Sequence, residues 1–199
     1  MTSSTGNRLP VFVITGQSGA GKGTLINRLL DRFPQLKLAV SATTRARRPD
    51  EIEGVHYYFI SDEEFDRRLA EGDFLEYHAF PWGQRSGTLL SEIDRISEQG
   101  KVCVLELETE GALNVADRIP GAVTIFITAP IEELERRLRE RATESSGEIG
   151  ERLRVAREQL GVADRFDYIV ENDDLERAVA KLSELVTRYA VPAGTMPQP

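Results

Sequence analysis

"VFVITGQSGAGKGT", residues 11–24, joins an apolar run to a segment with almost nothing to bury. Val11–Thr15 is β-branched and aromatic and reads as a strand buried on both faces. Gly16 to Thr24 then carries four glycines, one lysine and two hydroxyl side chains. A plain strand-to-helix turn needs only one or two glycines. Gly16, Gly21 and Lys22 fit G-x-x-x-x-G-K, placed after a predicted strand and at the opening of a predicted helix, which is the context the motif requires. Its glycines let successive N–H groups converge on phosphate oxygens at a helix N-terminus, and Lys22, which has no packing role there, reaches the terminal phosphates. The hydroxyl that usually follows the lysine is displaced by Gly23, with Thr24 next, so metal ligation from the loop departs from the usual pattern.

Working outward, four more short β-rich runs stand out: Leu36–Val40, Val102–Leu107, Val123–Thr128 and Tyr168–Val170. Helical periodicity is clearest in "TLINRLLDRF", "IEELERRLRER", "GEIGERLRVAREQL" and "LERAVAKLSELVTRY". The alternation predicts an α/β fold of the P-loop type, with a five-stranded parallel sheet covered by helices. From about residue 41 to 97 the alternation breaks. "VHYYFI" and "DFLEYHAF" read as half-wet strands, and "SDEEFDRRLAEG" opens on a capping box, Ser61 with Glu64, and ends at Gly72. This predicts a small antiparallel subdomain (41–97) inserted into a core of 10–40 and 98–190, with tails at 1–9 and 191–199 that read as disordered.

The 199 residues, 40% of them hydrophobic, suit one core with an insertion. The net charge of −8 argues against a broad nucleic-acid surface. No stretch has the length of a membrane span or the pattern of a signal peptide, which points to a cytoplasmic protein without a membrane partner. Cys103, the single cysteine, reads as a small buried hydrophobe in "VCVLEL", and two histidines with one cysteine argue against structural zinc. Self-association is left open.

A second anion site is written in "SATTRARRP", where Arg45, Arg47 and Arg48 fall within four residues beside Ser41 and Thr44. Arg48 precedes Pro49, which favours an extended loop, and guanidinium forks grip phosphates with paired bonds. The competing reading pairs these arginines with Asp50, Glu51 and Glu53.

Taken in order, "GQSGAGKGT", "SATTRARRP", "EGVHYYFIS", "GDFLEY", "LELETEGA", "RLRERATES" and "YIVENDDLE" resemble the guanylate kinase family over nearly the whole chain outside the tails. The resemblance implies ATP:GMP phosphoryl transfer, with Mg²⁺ accompanying ATP. It implies that Gly16, Ser18, Gly19, Ala20, Gly21, Lys22, Gly23 and Thr24 hold the ATP phosphates, with Asn172 near the adenine. Ser41, Arg45, Arg48, Tyr57, Glu76, Ser86, Thr88 and Glu108 would hold GMP, Ser41 and Glu76 reading the guanine. An ionised carboxylate only accepts hydrogen bonds, and guanine presents two adjacent donors where adenine presents an unprotonated nitrogen. Lys22, Arg45 and the lid residues Arg141 and Arg152 (lid about 138–152, Arg137 also considered) would meet the transferring group. Thr24, and Glu106 through water, would serve the metal.

Four features depart from the family pattern. "GQRSGT" stands where many members carry paired tyrosines, so Ser86 and Thr88 take those places, with Arg85 a candidate substitute for the phosphate contact. Glu106 and Glu108 stand where aspartates, or a Glu and Asp pair, are usual, and Ala142 replaces a common lid glycine. Two alternatives compete: a kinase of the same fold acting on a sugar phosphate such as ribose 1,5-bisphosphate, and a non-catalytic binding module. The first leaves Ser41 and Glu76 with no base to read; the second does not account for Lys22.

Overall fold

The computed structural model describes residues 9–80, 83–140 and 146–190. Along the chain, β1 (Val11–Gly16) passes through the glycine loop into α1 (Lys22–Arg32), followed by β2 (Leu36–Leu38), β3 (Ala42–Thr43) and β4 (Tyr58–Phe59). Then come α2 (Asp62–Glu71), β5 (Phe74–Ala79), β6 (Arg85–Leu89), α3 (Leu90–Glu98), β7 (Val102–Glu106), α4 (Thr109–Arg118) and β8 (Val123–Thr128). The chain continues through α5 (Ile131–Glu140), α6 (Ser146–Leu160), β9 (Tyr168–Glu171) and α7 (Leu175–Ala190). Arg141, Ala142 and the segments 1–8 and 191–199 lie outside the described residues.

Among the described residues, five strands form a parallel sheet in the order β2-β7-β1-β8-β9. β1 is central and buried along its whole length, and its side chains alternate between two cores. Phe12 and Ile14 join Leu25, Ile26, Leu29, Leu134, Ala156 and Leu182 beneath α1, α5, α6 and α7. Val11 and Val13 join Ile96, Cys103, Leu105, Ala112 and Val115 beneath α3 and α4. This two-faced burial is why the strand reads as an unbroken apolar run. Cys103 is the small buried hydrophobe expected of it, and burial pushes its thiol up to about 12.

A second sheet, β4-β3-β6-β5, falls within the inserted segment and has its own small core of Ala42, Phe65, Phe74 and Leu89. It is mixed rather than antiparallel, because β3 and β4 run parallel while β3–β6 and β5–β6 are antiparallel. The arginine-bearing loop between β3 and β4 is long enough to return the chain in the same direction. The expected strand "VHYYFI" contracts to Tyr58–Phe59, since a turn at Gly54 (φ 71°) takes up its beginning. Helix α2 begins at Ser61, whose Oγ accepts from Glu64 N–H at 3.1 Å, and ends at left-handed Gly72. The Glu64 carboxylate binds Arg67 and Arg68 instead of closing the box.

The second core strand stops at Leu38 rather than Val40 because Val40 N–H turns to a side chain. Glu92 of α3, 2% exposed, accepts from Val40 N–H at 2.8 Å, from the Tyr58 hydroxyl at 2.9 Å and from Arg95 at 2.7 and 2.8 Å. One carboxylate thus joins the end of β2, the inserted sheet and α3. Burial alone would raise its pKa, but Arg95, the Val40 N–H and the Tyr58 hydroxyl outweigh that and hold it below the ordinary 4.5. A depressed native pKa stabilises the fold above the unfolded value and loses that contribution as pH falls through the native value. Glu92→Gln is therefore expected to cost about 1–3 kcal/mol near neutral pH. The difference from wild type in urea unfolding should shrink below pH 4.5, and an undiminished gap at acid pH would contradict this account.

Candidate active site

The glycine loop lies at the carboxyl end of central β1, where ligands of open α/β sheets bind. Gly16 has φ 144°, and a side chain there would place Cβ 2.0 Å from the Ile127 carbonyl oxygen of β8. Gly19 and Gly21 are left-handed, at φ 86° and 85°. The loop is also held from behind. Gln17, 1% exposed, donates to Ala156 O of α6 at 3.0 Å and accepts from Thr128 Oγ1 and Ala129 N–H at 2.5 and 3.0 Å. Ser18 N–H donates to Gln159 Oε1, also on α6, at 2.9 Å. Ala20 O accepts from Asn172 Nδ2 at 2.7 Å and from Arg137 at 3.3 Å.

The side chain of Asn172 is thus buried against the loop. The helix-starting turn that "NDD" could make is instead the work of Asp174, whose Oδ1 accepts from Arg177 N–H. The Asn172 Oδ1 is buried without a hydrogen-bond partner among the described residues.

Lys22 folds back on the loop, its Nζ 2.8 Å from Gly16 O and 3.2 Å from Gln17 O. It opens into a cleft of about 280 Å³ between the loop and the inserted sheet. Ser41, Tyr57, Glu76, Ser86, Glu106 and Glu108 also line this cleft, together with His56, His78 and Phe80. Six positions expected at the two ends of a transfer reaction therefore share one cavity with the loop lysine.

The cleft's electrostatics are mixed. Desolvation lowers the Lys22 pKa, opposed by Glu108 and Glu106. Glu106 is open at the cleft mouth, yet the surrounding protein desolvates it enough to push its carboxyl up, against Lys22 and together with Glu108. Burial also raises Glu76, against hydrogen bonds from Thr88. Glu76 Oε1 accepts from Thr88 N–H at 3.0 Å, and the Thr88 and Ser41 hydroxyls lie 3.4 Å apart. Position 76 on β5 pairs with position 88 on β6, which is what aims this carboxylate inward.

Among the described residues the lining does not include Arg45 or Arg48. Arg45 makes a two-pronged pair with Glu51 at 2.7 and 2.5 Å and lies over the Tyr57 ring, 4.9 Å from its centroid. Glu51 also accepts from Arg48 N–H at 2.8 Å, and the Arg45 guanidinium, then Arg48, hold its carboxyl down at about 2. The pairing weighed as a competing reading is present, and it sets Arg45 beside Tyr57. Arg85 does not substitute in the cleft: it pairs with Asp62 and Asp66 of α2, over the Phe65 ring. Alternation along β6 turns Ser86, its neighbour, to the cleft and Arg85 away.

Thr24 is exposed at the start of α1. Arg137 on α5 binds Glu133, Ala20 O and Asn172 O, while Arg152 lies on α6 and Arg141 outside the described residues. Gln17, Glu51 and Gln159 carry site geometry that the sequence reading did not assign. Glutamines carry no charge or periodicity that would mark them, and Glu51 was visible only as a partner for arginines.

The chain is similar to known proteins over most of its length. The guanylate kinase family profile matches residues 8–189. A guanylate kinase of Rubrobacter xylanophilus is 46% identical over 179 residues, covering 89% of this chain and 93% of that one. One of Synechococcus elongatus is 44% identical over 177 residues, covering 88% and 96%. The crystal structure of guanylate kinase from Anaplasma phagocytophilum superposes with a TM-score of 0.72 at 27% identity, covering 92% of this chain and 87% of the other.

Removing the Asn172 amide leaves the Ala20 carbonyl with only the longer bond from Arg137. Asn172→Ala is expected to lower unfolding free energy by about 1–3 kcal/mol. Amide exchange should quicken in the loop segment 17–21 before it does in β1; unchanged loop protection would show that Asn172 does not brace it.

Proposed function

Because the chain belongs to the guanylate kinase family, we propose that it transfers the terminal phosphoryl group of ATP to GMP, yielding ADP and GDP. The observation that carries this reading is the shared cleft, lined both by Lys22 of the phosphate loop and by Glu76, Ser41 and Tyr57 of the inserted segment. Donor and acceptor anions would meet between them.

The transfer asks little covalent chemistry of the protein; it asks for an acceptor oxygen in line with the γ-phosphorus and fixed positive charge around the moving group. Loop amides and Lys22 would hold the ATP phosphates. A phosphate arriving with GMP would take Arg45 in place of Glu51, beside Tyr57, with Arg48 from the same loop. Glu76 would accept from the guanine N1–H and 2-amino group, with Ser41 and Thr88 hydroxyls alongside and Ser86 and Glu108 on the cleft wall. Arg152 and Arg141 would come over the transferring group on lid closure, which also keeps water from acting as acceptor. Asn172 would serve ATP through the loop it braces.

Mg²⁺ suits the oxygen donors present, the exposed Thr24 hydroxyl and the Glu106 carboxylate at the cleft mouth. Bound there with ATP, it would neutralise phosphate charge, Glu106 acting through water. The product, guanosine diphosphate, would enter purine nucleotide metabolism, and among the described residues no helix is long and apolar enough to cross a membrane. A sugar-phosphate acceptor would leave Glu76 facing no base.

A coupled ADP-release assay with GMP, dGMP, AMP, UMP and ribose 1,5-bisphosphate tests the reading, and turnover highest with GMP is expected. Lys22→Ala should lower kcat/KM with every acceptor by about a hundredfold or more, a loss of about 3 kcal/mol in transition-state stabilisation. Glu76→Gln should raise KM for GMP about tenfold while leaving AMP unaffected, since a carboxylate facing an unprotonated ring nitrogen gains nothing. Equal losses with both purines would remove Glu76 from base reading.

A further inference from the structure

Gly111 is the third residue of α4, and its backbone does not require glycine. It is absent from the described glycines with positive φ. Glycine is a poor helix former beside alanine, so its place there needs another cause. Space supplies one. A Cβ built on Gly111 would lie 2.7 Å from Glu76 Oε2, 3.4 Å from Cδ and 3.5 Å from Cγ, and those are its three nearest neighbours.

A second glycine flanks the same residue. On β6, a Cβ at Gly87 would meet Glu76 O at 2.6 Å, Tyr77 Cβ at 2.8 Å and Phe74 Cδ1 at 2.9 Å. That collision is partly with main chain, and relieving it would move the strand. The collision at Gly111 is with the far end of a flexible side chain, which can rotate away and leave the fold intact. The two glycines therefore divide the labour, Gly87 permitting the strand pairing and Gly111 permitting the carboxylate.

We propose that Gly111 is a specificity-determining position, whose missing side chain reserves the volume in which the Glu76 carboxylate sits facing the cleft. The inference rests on the reading of Glu76 as the guanine acceptor. With a methyl at 111, the carboxylate turns off the Thr88 N–H that now aims it, and the acceptor pocket loses its discriminating group while the phosphate loop keeps its own.

The test is Gly111→Ala, assayed alone and with Glu76→Ala. Alone, it should raise KM for GMP about tenfold, with KM for ATP within about twofold of wild type and AMP turnover unchanged. In the Glu76→Ala background the same substitution should have no further effect on GMP, and it should raise the thermal midpoint, because alanine then meets open space in a helix. A wild-type KM for GMP in Gly111→Ala would overturn the proposal. So would an equal loss of stability or GMP affinity in both backgrounds, since the cost would then lie elsewhere than Glu76. If Gly111→Ala alone does not fold, recovery of a melting transition in the double variant supports the clash, and failure to recover overturns it. Glu76→Gln separates the two layers: selective damage there beside a silent Gly111→Ala rejects this inference alone, whereas unselective damage rejects the reading beneath it.

Discussion

Amides that a loop offers to an anion cannot also pair within the loop, so its shape has to be held largely by whatever lies behind it. Here the holding groups come from several separate places in the chain. Gly16 rests directly on β8, Gln17 reaches α6 and the end of β8, and Asn172 with Arg137 takes the Ala20 carbonyl. Some loop amides take part in this bracing: Gln17 N–H donates to Ile127 O of β8 at 3.0 Å and Ala20 N–H to Gln17 O at 3.1 Å. Ser18 N–H is likewise occupied, by Gln159 Oε1.

The same economy governs charge. Lys22 is held by two main-chain oxygens, Arg45 by Glu51, and the arginines of α2, α3 and α5 by carboxylates one turn away. A cleft built this way is preorganised before any ligand arrives, and an incoming phosphate exchanges partners rather than meeting bare cations. Glu76 of the inserted sheet, with Glu106 and Glu108 at the end of β7 and the start of α4, brings the opposite sign into the same cavity, which suits a ligand with an anionic end and a hydrogen-bond-donating end. GMP has that polarity.

Much of this was legible in the residues. Val11–Gly16 and the other core strands are buried on both faces and so carry unbroken apolar runs; the loop's composition has no packing explanation; Ser61 and Gly72 mark the ends of α2 by their capping chemistry. The misses have physical causes too. α3 and α4 carry little apolar periodicity, since α3 buries Glu92 with Ile96 and α4 buries Thr109, Gly111 and Ala112 with Val115, and β3 and β4 have two residues each. The Arg85 substitution failed because strand alternation gave the cleft to Ser86. Gln17 and Gln159 act on partners far along the chain and Gly111 on one in another element, and a lone glutamine or glycine announces none of them. Glu76 itself could be assigned only by resemblance, since a glutamate on a half-exposed strand is ordinary.

The sheet order carries a kinetic consequence. β1 emerges first from the ribosome, yet both strands that flank it begin beyond residue 100, at Val102 and Val123. Pairings so distant along the chain must close large loops before they repay the entropy lost, which slows formation of parallel sheets. The phosphate-loop end of the molecule is therefore assembled late, after the inserted sheet, whose partners lie nearer to one another in sequence, has had time to form. During that interval a strand that ends up buried along its whole length stands unpaired, an apolar stretch open to wrong partners in a nascent chain.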